Sequence, residues 1–228
     1  GRVYIYEYKN DAFGEINNFD IPVRNTKYTL FKLTSNDHLF VADTYQSRFM
    51  NVYDSNSGNP PIHSISLSGL NSKLDVSYDG KYLCEVTSEK VILYQFWTDQ
   101  YGNPRYDRVN EWDNTTTKYT ACKFYPEENN RLILTSNSSF VTLTIYPVDF
   151  STPRTGRFID FDSFTGYITY ADADYVGNHY VHILNPVAGS NKWRMKINPL
   201  YINKDIFMYN SFMIIDSYYT NISGLYWQ

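Results

Sequence analysis

The chain has 228 residues and a formal charge of −4. With no basic stripe of Lys and Arg, that balance argues against a nucleic-acid partner, and no apolar run is long enough to span a bilayer. Only six alanines are present, and Tyr, Phe, Val, Ile and Thr fill the apolar runs, a composition suited to pleated surfaces. In chain order, Arg2–Tyr8 (RVYIYEY) reads as a strand, with no Met or leader before it, and Glu15–Val23 as its neighbour. That opening is compatible with a mature secreted form or a slice of something longer. A pattern of apolar run, turn, apolar run, hairpin turn and third run then begins at Leu30 (LFKLTSNDHLFVADTYQSRFMNVYDS). It returns at Leu74, Ala121, Arg157 and Ile206.

A repeat of about 43 residues built from four short strands is the pattern of a β-propeller blade. The expected architecture is all-β, a propeller of about five four-stranded blades or a slice of a larger one. A single domain would cover residues 1–228, with blades near 28–70, 72–113, 118–154 and 155–200. The termini, 1–23 and 203–228, would form a shared or incomplete blade. If shared, Arg2–Tyr8 and Phe212–Tyr219 belong to one sheet, which removes two exposed edges; a true strand over Ile222–Trp227 would compete for the same slot. The third blade should have the weakest fourth strand, because Pro147 and Pro153 cannot donate to a ladder. HLFVA, YLCEV, RLILT and FMIID are near-continuous apolar runs, as expected of inner strands covered on both faces.

The best-formed copy is LDVSYDGKYLCEVTSEKVILYQF, Leu74 to Phe96. Asp79-Gly80 should turn the chain between its first two strands, Gly80 taking a positive φ. This block resembles the WD-repeat family: Ser77-Tyr78-Asp79-Gly80-Lys81 stands where that family has an S-P-D-G-K-like turn, and Leu83 and Val91–Tyr94 match its second and third strands. The resemblance covers most of the chain as pattern and one repeat as residues. No Gly-His pair opens a blade and no Trp-Asp pair ends one, so the family's Asp–His–Ser/Thr–Trp network does not carry over. The resemblance implies a generic propeller, most often a non-catalytic scaffold that binds partners.

Asp43, Asp172 and Asp216 each end a second strand and are read first as turn-forming acids, and second as an acidic rim. Asp172-Ala173-Asp174 has calcium-like spacing but lacks the oxygen ligands and Gly of a calcium loop. His179 and His182, three apart on a strand, face opposite sides and cannot share a zinc; His38 and His63 are lone. No metal or cofactor is therefore expected. No nucleophile elbow, phosphate loop or dinucleotide fingerprint occurs, so enzyme activity is not expected. Cys84 and Cys122 read as buried thiols in preference to a disulfide.

Asn114, Asn137 and Asn221 head sequons and are glycosylation candidates if the chain is secreted. The low charged fraction and abundance of Tyr, Asn, Ser and Thr lean towards an extracellular or cell-surface setting. Tyr is the one excess, 23 residues, and it is a favoured interface residue. The segment Trp97–Tyr106 (WTDQYGNPRY) reads as a long loop, and it combines Trp97, Tyr101, Arg105 and Tyr106, types enriched at binding hot spots. The expected function is a non-enzymatic interaction or scaffold propeller that binds protein partners, as a subunit of a larger assembly. The alternatives are a carbohydrate-binding propeller at a cell surface and a propeller hydrolase.

Overall fold

The computed structural model describes residues 2–21, 30–44, 48–126, 128–161, 167–173, 176, 179–185, 190–197, 206–209, 212–217 and 220–226. Every regular element among them is a strand. The chain divides into two compact units, Gly1–Phe124 and Tyr125–Gln228.

The first unit opens with a two-stranded hairpin, β1 (Arg2–Lys9) and β2 (Ala12–Asp20). Two four-stranded antiparallel sheets follow in chain order. One is β3 (Leu30–Leu33), β4 (His38–Ala42), β5 (Phe49–Asp54) and β6 (Gly58–Ser66); the other is β7 (Lys73–Val76), β8 (Tyr82–Val86), β9 (Lys90–Thr98) and β10 (Pro104–Asp113). β11 (Ala121–Phe124) ends the unit beside β7 and β8. In the second unit β12 (Arg131–Thr135) pairs with β13 (Ser139–Thr144). β13 also receives two short strands, β14 (Asp149–Phe150) and β15 (Arg154–Thr155). The fourth strand of this repeat is thus broken in two, as Pro147 and Pro153 led one to expect. β16 (Arg157–Phe161), β17 (Ile168–Ala173), β18 (His179–Asn185) and β19 (Ser190–Ile197) form a further four-stranded sheet.

The last sheet has three strands, β20 (Ile206–Tyr209), β21 (Phe212–Ser217) and β22 (Thr220–Tyr226). This corrects the expected shared blade. β1 pairs with β2, whereas β21 pairs with β20 and β22, with Gly224 opposite Ile214 inside the ladder. The competing third strand occupies the slot beside β21 that a clasp by Arg2–Tyr8 required. Residues 218–219 of that expected pairing lie outside the described residues.

Packing follows the apolar pattern. Phe40, Met50 and Val52 of one sheet meet Val76, Leu83 and Ile92 of the next in one cluster, all nearly without solvent contact. The inner strands β4 and β8 are buried along almost their whole length, so both faces needed apolar side chains. Asp75 ties three successive repeats together. Its Oδ1 accepts from Lys32 Nζ at 2.8 Å and its Oδ2 from the Phe124 backbone N–H at 2.6 Å.

A second buried carboxylate organises the β7–β10 sheet. Glu85 is fully buried and accepts from the backbone N–H groups of Ser68 and Gly69, from Ser72 Oγ at 2.7 Å and from the Tyr94 hydroxyl at 2.6 Å. This repeat therefore has a hydrogen-bonded polar centre built from residues other than the WD-repeat set. Burial, then the neighbouring carboxylate, pushes the Tyr94 phenol up to about 12.

The turn between β7 and β8 is formed as expected. Gly80 has φ +71°, its N–H donates to Ser77 O, and Asp79 Oδ1 accepts from Ser77 Oγ and the Lys81 N–H. A Cβ at Gly80 would sit 3.1 Å from Asn36 Oδ1 in addition to the strained φ. Gly80→Val should therefore destabilise the fold by about 1–3 kcal/mol, read as a lower denaturation midpoint at unchanged slope. Wild-type stability in that variant would contradict this role for the turn.

Cys84 and Cys122 are buried, unbridged thiols. The Cys122 thiol donates to Cys84 O at 3.4 Å, and burial pushes its pKa up, which makes it an inert packing group.

Candidate functional site

Trp97–Tyr106 is not a loop. It is the end of the β9–β10 hairpin, with Thr98 opposite Pro104, Trp97 opposite Arg105 and Phe96 opposite Tyr106. Only Asp99–Asn103 turns. Asp99 Oδ1 accepts from the N–H groups of Tyr101 and Asn103, and Gly102 takes φ +82°, a tight turn that the Asp-x-x-Gly spacing encodes. Those N–H bonds hold the Asp99 carboxyl below its ordinary range.

The four candidate residues separate into two groups. Tyr101 projects from the turn with 79% of its surface exposed, and Trp97 is 44% exposed with Nε1 donating to Asp107. Arg105 is exposed and donates to Asp99 Oδ2 at 3.3 Å. Tyr106 instead points into the sheet. Its ring lies edge-on to Phe40 at 6.0 Å and stacked on His63 at 5.9 Å, and its hydroxyl donates to Gly80 O at 2.5 Å. Burial pushes its phenol pKa upward, as expected for a packing residue.

A larger aromatic surface lies on the β1–β2 hairpin. Val3, Ile5 and Phe19 are buried against Leu39, Val41 and Tyr53, so the first half of β1 has one face sealed, whereas Glu7 and Lys9 further along that face are exposed. Its other face carries Tyr4, Tyr6 and Tyr8, exposed by 52%, 53% and 60%, and Phe13 on β2 is exposed by 75%. Tyr8 and Phe13 are directly opposite in the register, with ring centroids 4.9 Å apart. The alternation in RVYIYEY held this information. Reading the segment only as a blade strand missed that all three tyrosines share one face.

The other candidates have structural roles or remain without a described side chain. Asn114 is fully buried: its Nδ2 donates to Thr87 O and Tyr119 O, and its Oδ1 accepts from the Tyr119 N–H. A glycan on that nitrogen would break this staple. Asn137 is exposed in the β12–β13 turn, and Asn221 lies in β22 with its side chain outside the described residues. His182 is buried, stacked on Tyr170 at 4.6 Å, with Nε2 2.8 Å from Asp172 Oδ1. Asp172 thus supports a packed histidine. Asp174 and the side chains of His179 and Asp216 lie outside the described residues. Among the described residues no cluster of three or more His, Cys, Asp or Glu could hold a metal ion.

No protein-family model matches the sequence, and a search of curated proteins finds no match. Solved structures do match. The β-propeller domain of Cps50 (Swd1) from Myceliophteria thermophila is similar at 11% identity and a TM-score of 0.57, over 90% of this chain and 66% of that one. A proposed 6-phosphogluconolactonase from Bacteroides uniformis is similar at 11% identity and a TM-score of 0.57, over 93% of this chain and 69% of that one. The fold is a β-propeller. The chain spans about two thirds of the length of each of these propellers. At such identity the likeness concerns the fold, and the WD-repeat pattern at Leu74–Phe96 stands as a local resemblance within it. Among the described residues no helix is long and apolar enough to cross a membrane.

Proposed function

We propose that this propeller is a non-enzymatic interaction module that holds a protein partner on exposed aromatic side chains of its first unit. One observation carries the reading: Tyr4, Tyr6, Tyr8 and Phe13 form a solvent-exposed aromatic row on a hairpin anchored on its opposite face by Val3, Ile5 and Phe19. Packing of the blade does not need these side chains outside. Tyr offers large, rigid, amphipathic contact area with little side-chain freedom to lose, the economy that protein interfaces favour. Trp97, Tyr101 and Arg105 at the β9–β10 turn provide a second exposed set of the same chemistry.

The experiment places a photo-crosslinking phenylalanine analogue at Tyr6 and irradiates the protein in extract of its source organism. A discrete crosslinked protein, competed by excess unmodified chain and absent when the analogue sits at Asn137, is the expected result. A crosslinking pattern identical at the two positions would overturn the assignment of this face.

A further inference from the structure

A cavity of about 220 Å³ opens in the second unit, between the β12–β15 sheet and the β16–β19 sheet. Its wall follows from register. Phe140, Thr142 and Thr144 alternate along β13 and so share one face. Arg131 stands opposite Thr144, Asp149 also opposite Thr144, and Arg154 opposite Phe140, which brings all of them to that same face. Ile168 and Leu184, paired across β17 and β18, line the other side. Phe140, Ile168 and Leu184 of its lining belong to one buried apolar cluster. The pleat places guanidinium, hydroxyl and carboxylate groups beside three apolar side chains.

Charge decides between two kinds of small ligand. Arg131 donates through Nε and Nη2 to the two oxygens of Glu128, each at 2.6 Å, and lies over the Tyr125 ring at 4.8 Å. Its charge is therefore answered within the protein. The remaining formal charges on the wall, Arg154 and Asp149, are opposite in sign. A carboxylate or phosphate would meet no net positive field. A neutral polyol would meet both donors and acceptors, and its C–H faces would rest on Phe140, Ile168 and Leu184.

We propose that this inter-blade cavity is a binding site for a small neutral polyol of monosaccharide size. Six of the nine lining residues are polar or charged and three are apolar, a balance suited to a ligand covered with hydroxyl groups, which convergent polar groups would orient. The site shares no residue with the aromatic row and does not depend on the protein-binding role proposed above.

Ligand-observed saturation-transfer NMR tests it with D-glucose, D-galactose, D-mannose and myo-inositol, beside inorganic phosphate and succinate. At least one polyol should receive saturation, and Asp149→Asn and Thr144→Val should each weaken its binding at least about tenfold, as loss of a hydrogen-bonding partner does. Thermal unfolding of both variants checks that they fold. Saturation of phosphate or succinate with none of the polyols would identify an anion site and overturn the proposal. Absence of any transfer to the wild-type chain would overturn it too, whatever the variants do, as would polyol binding unchanged in both folded variants.

Discussion

Glu85→Ala should lower the stability of the fold by about 3–5 kcal/mol, the largest effect of any polar substitution in the first unit. The carboxylate is fully buried, and its removal strands the Tyr94 hydroxyl, Ser72 Oγ and the N–H groups of Ser68 and Gly69. Buried donors without acceptors lose their water and gain nothing in return. Chemical denaturation reads the change directly. A second readout comes from Tyr94, whose phenol stands near 12 against an ordinary value of 10.0. A phenol raised in the folded state contributes stability that is present below its ordinary range and lost as pH climbs through the folded value. Alkaline unfolding of the wild-type chain should accordingly develop between about pH 10 and pH 12. Equal stability of Glu85→Ala and wild type would mean that solvent, not this network, satisfies those donors.

Tyr106→Ala is expected to destabilise by about 2–4 kcal/mol, whereas Tyr101→Ala, five residues earlier on the same hairpin, should stay within about 0.5 kcal/mol of wild type. The contrast follows from placement. Tyr106 packs between Phe40, Phe96 and His63 and donates to the Gly80 carbonyl, so its loss leaves a cavity and an unmet acceptor beside the β7–β8 turn. Tyr101 caps a surface turn and touches mainly water. Melting curves of the two variants, with Tyr101→Ala and Arg105→Ala also combined, separate the structural tyrosine from the binding candidates. A large loss of stability in Tyr101→Ala would show that the turn folds back over its own sheet.

The repeat was legible in the chain because it is local. Four short runs per period, Asp79-Gly80 between two of them and prolines after Tyr146 each act within a few residues, and the strands follow them. The faces were less legible. Tyr53, Tyr94 and Tyr6 look alike in sequence, yet the first two are buried and the third is half exposed, because burial depends on which sheet packs behind each strand. Trp97–Tyr106 read as a loop because Gly102 and Pro104 sit close together. In the fold Gly102 serves the turn and Pro104 begins a strand, where a missing N–H is tolerated. The wall of the inter-blade cavity was not visible at all. Arg131, Thr144, Asp149 and Arg154 share a face only through the register of three strand pairs. The terminal sheets were misjudged for a different reason: the competition between Arg2–Tyr8 and Ile222–Tyr226 for one slot is settled by local hairpins, β1 with β2 and β21 with β22, and not by the long-range clasp that the strand tally favoured.

The most direct test of the binding role is the affinity of the crosslinked partner for the wild-type chain and for Tyr4→Ser/Tyr6→Ser/Tyr8→Ser, measured beside thermal unfolding. Loss of at least about tenfold in affinity, or 1.4 kcal/mol, with an unfolding transition close to wild type is the predicted result, since these side chains lie outside the packed face. Undiminished affinity in the folded triple variant would contradict it and move the contact surface elsewhere on the propeller.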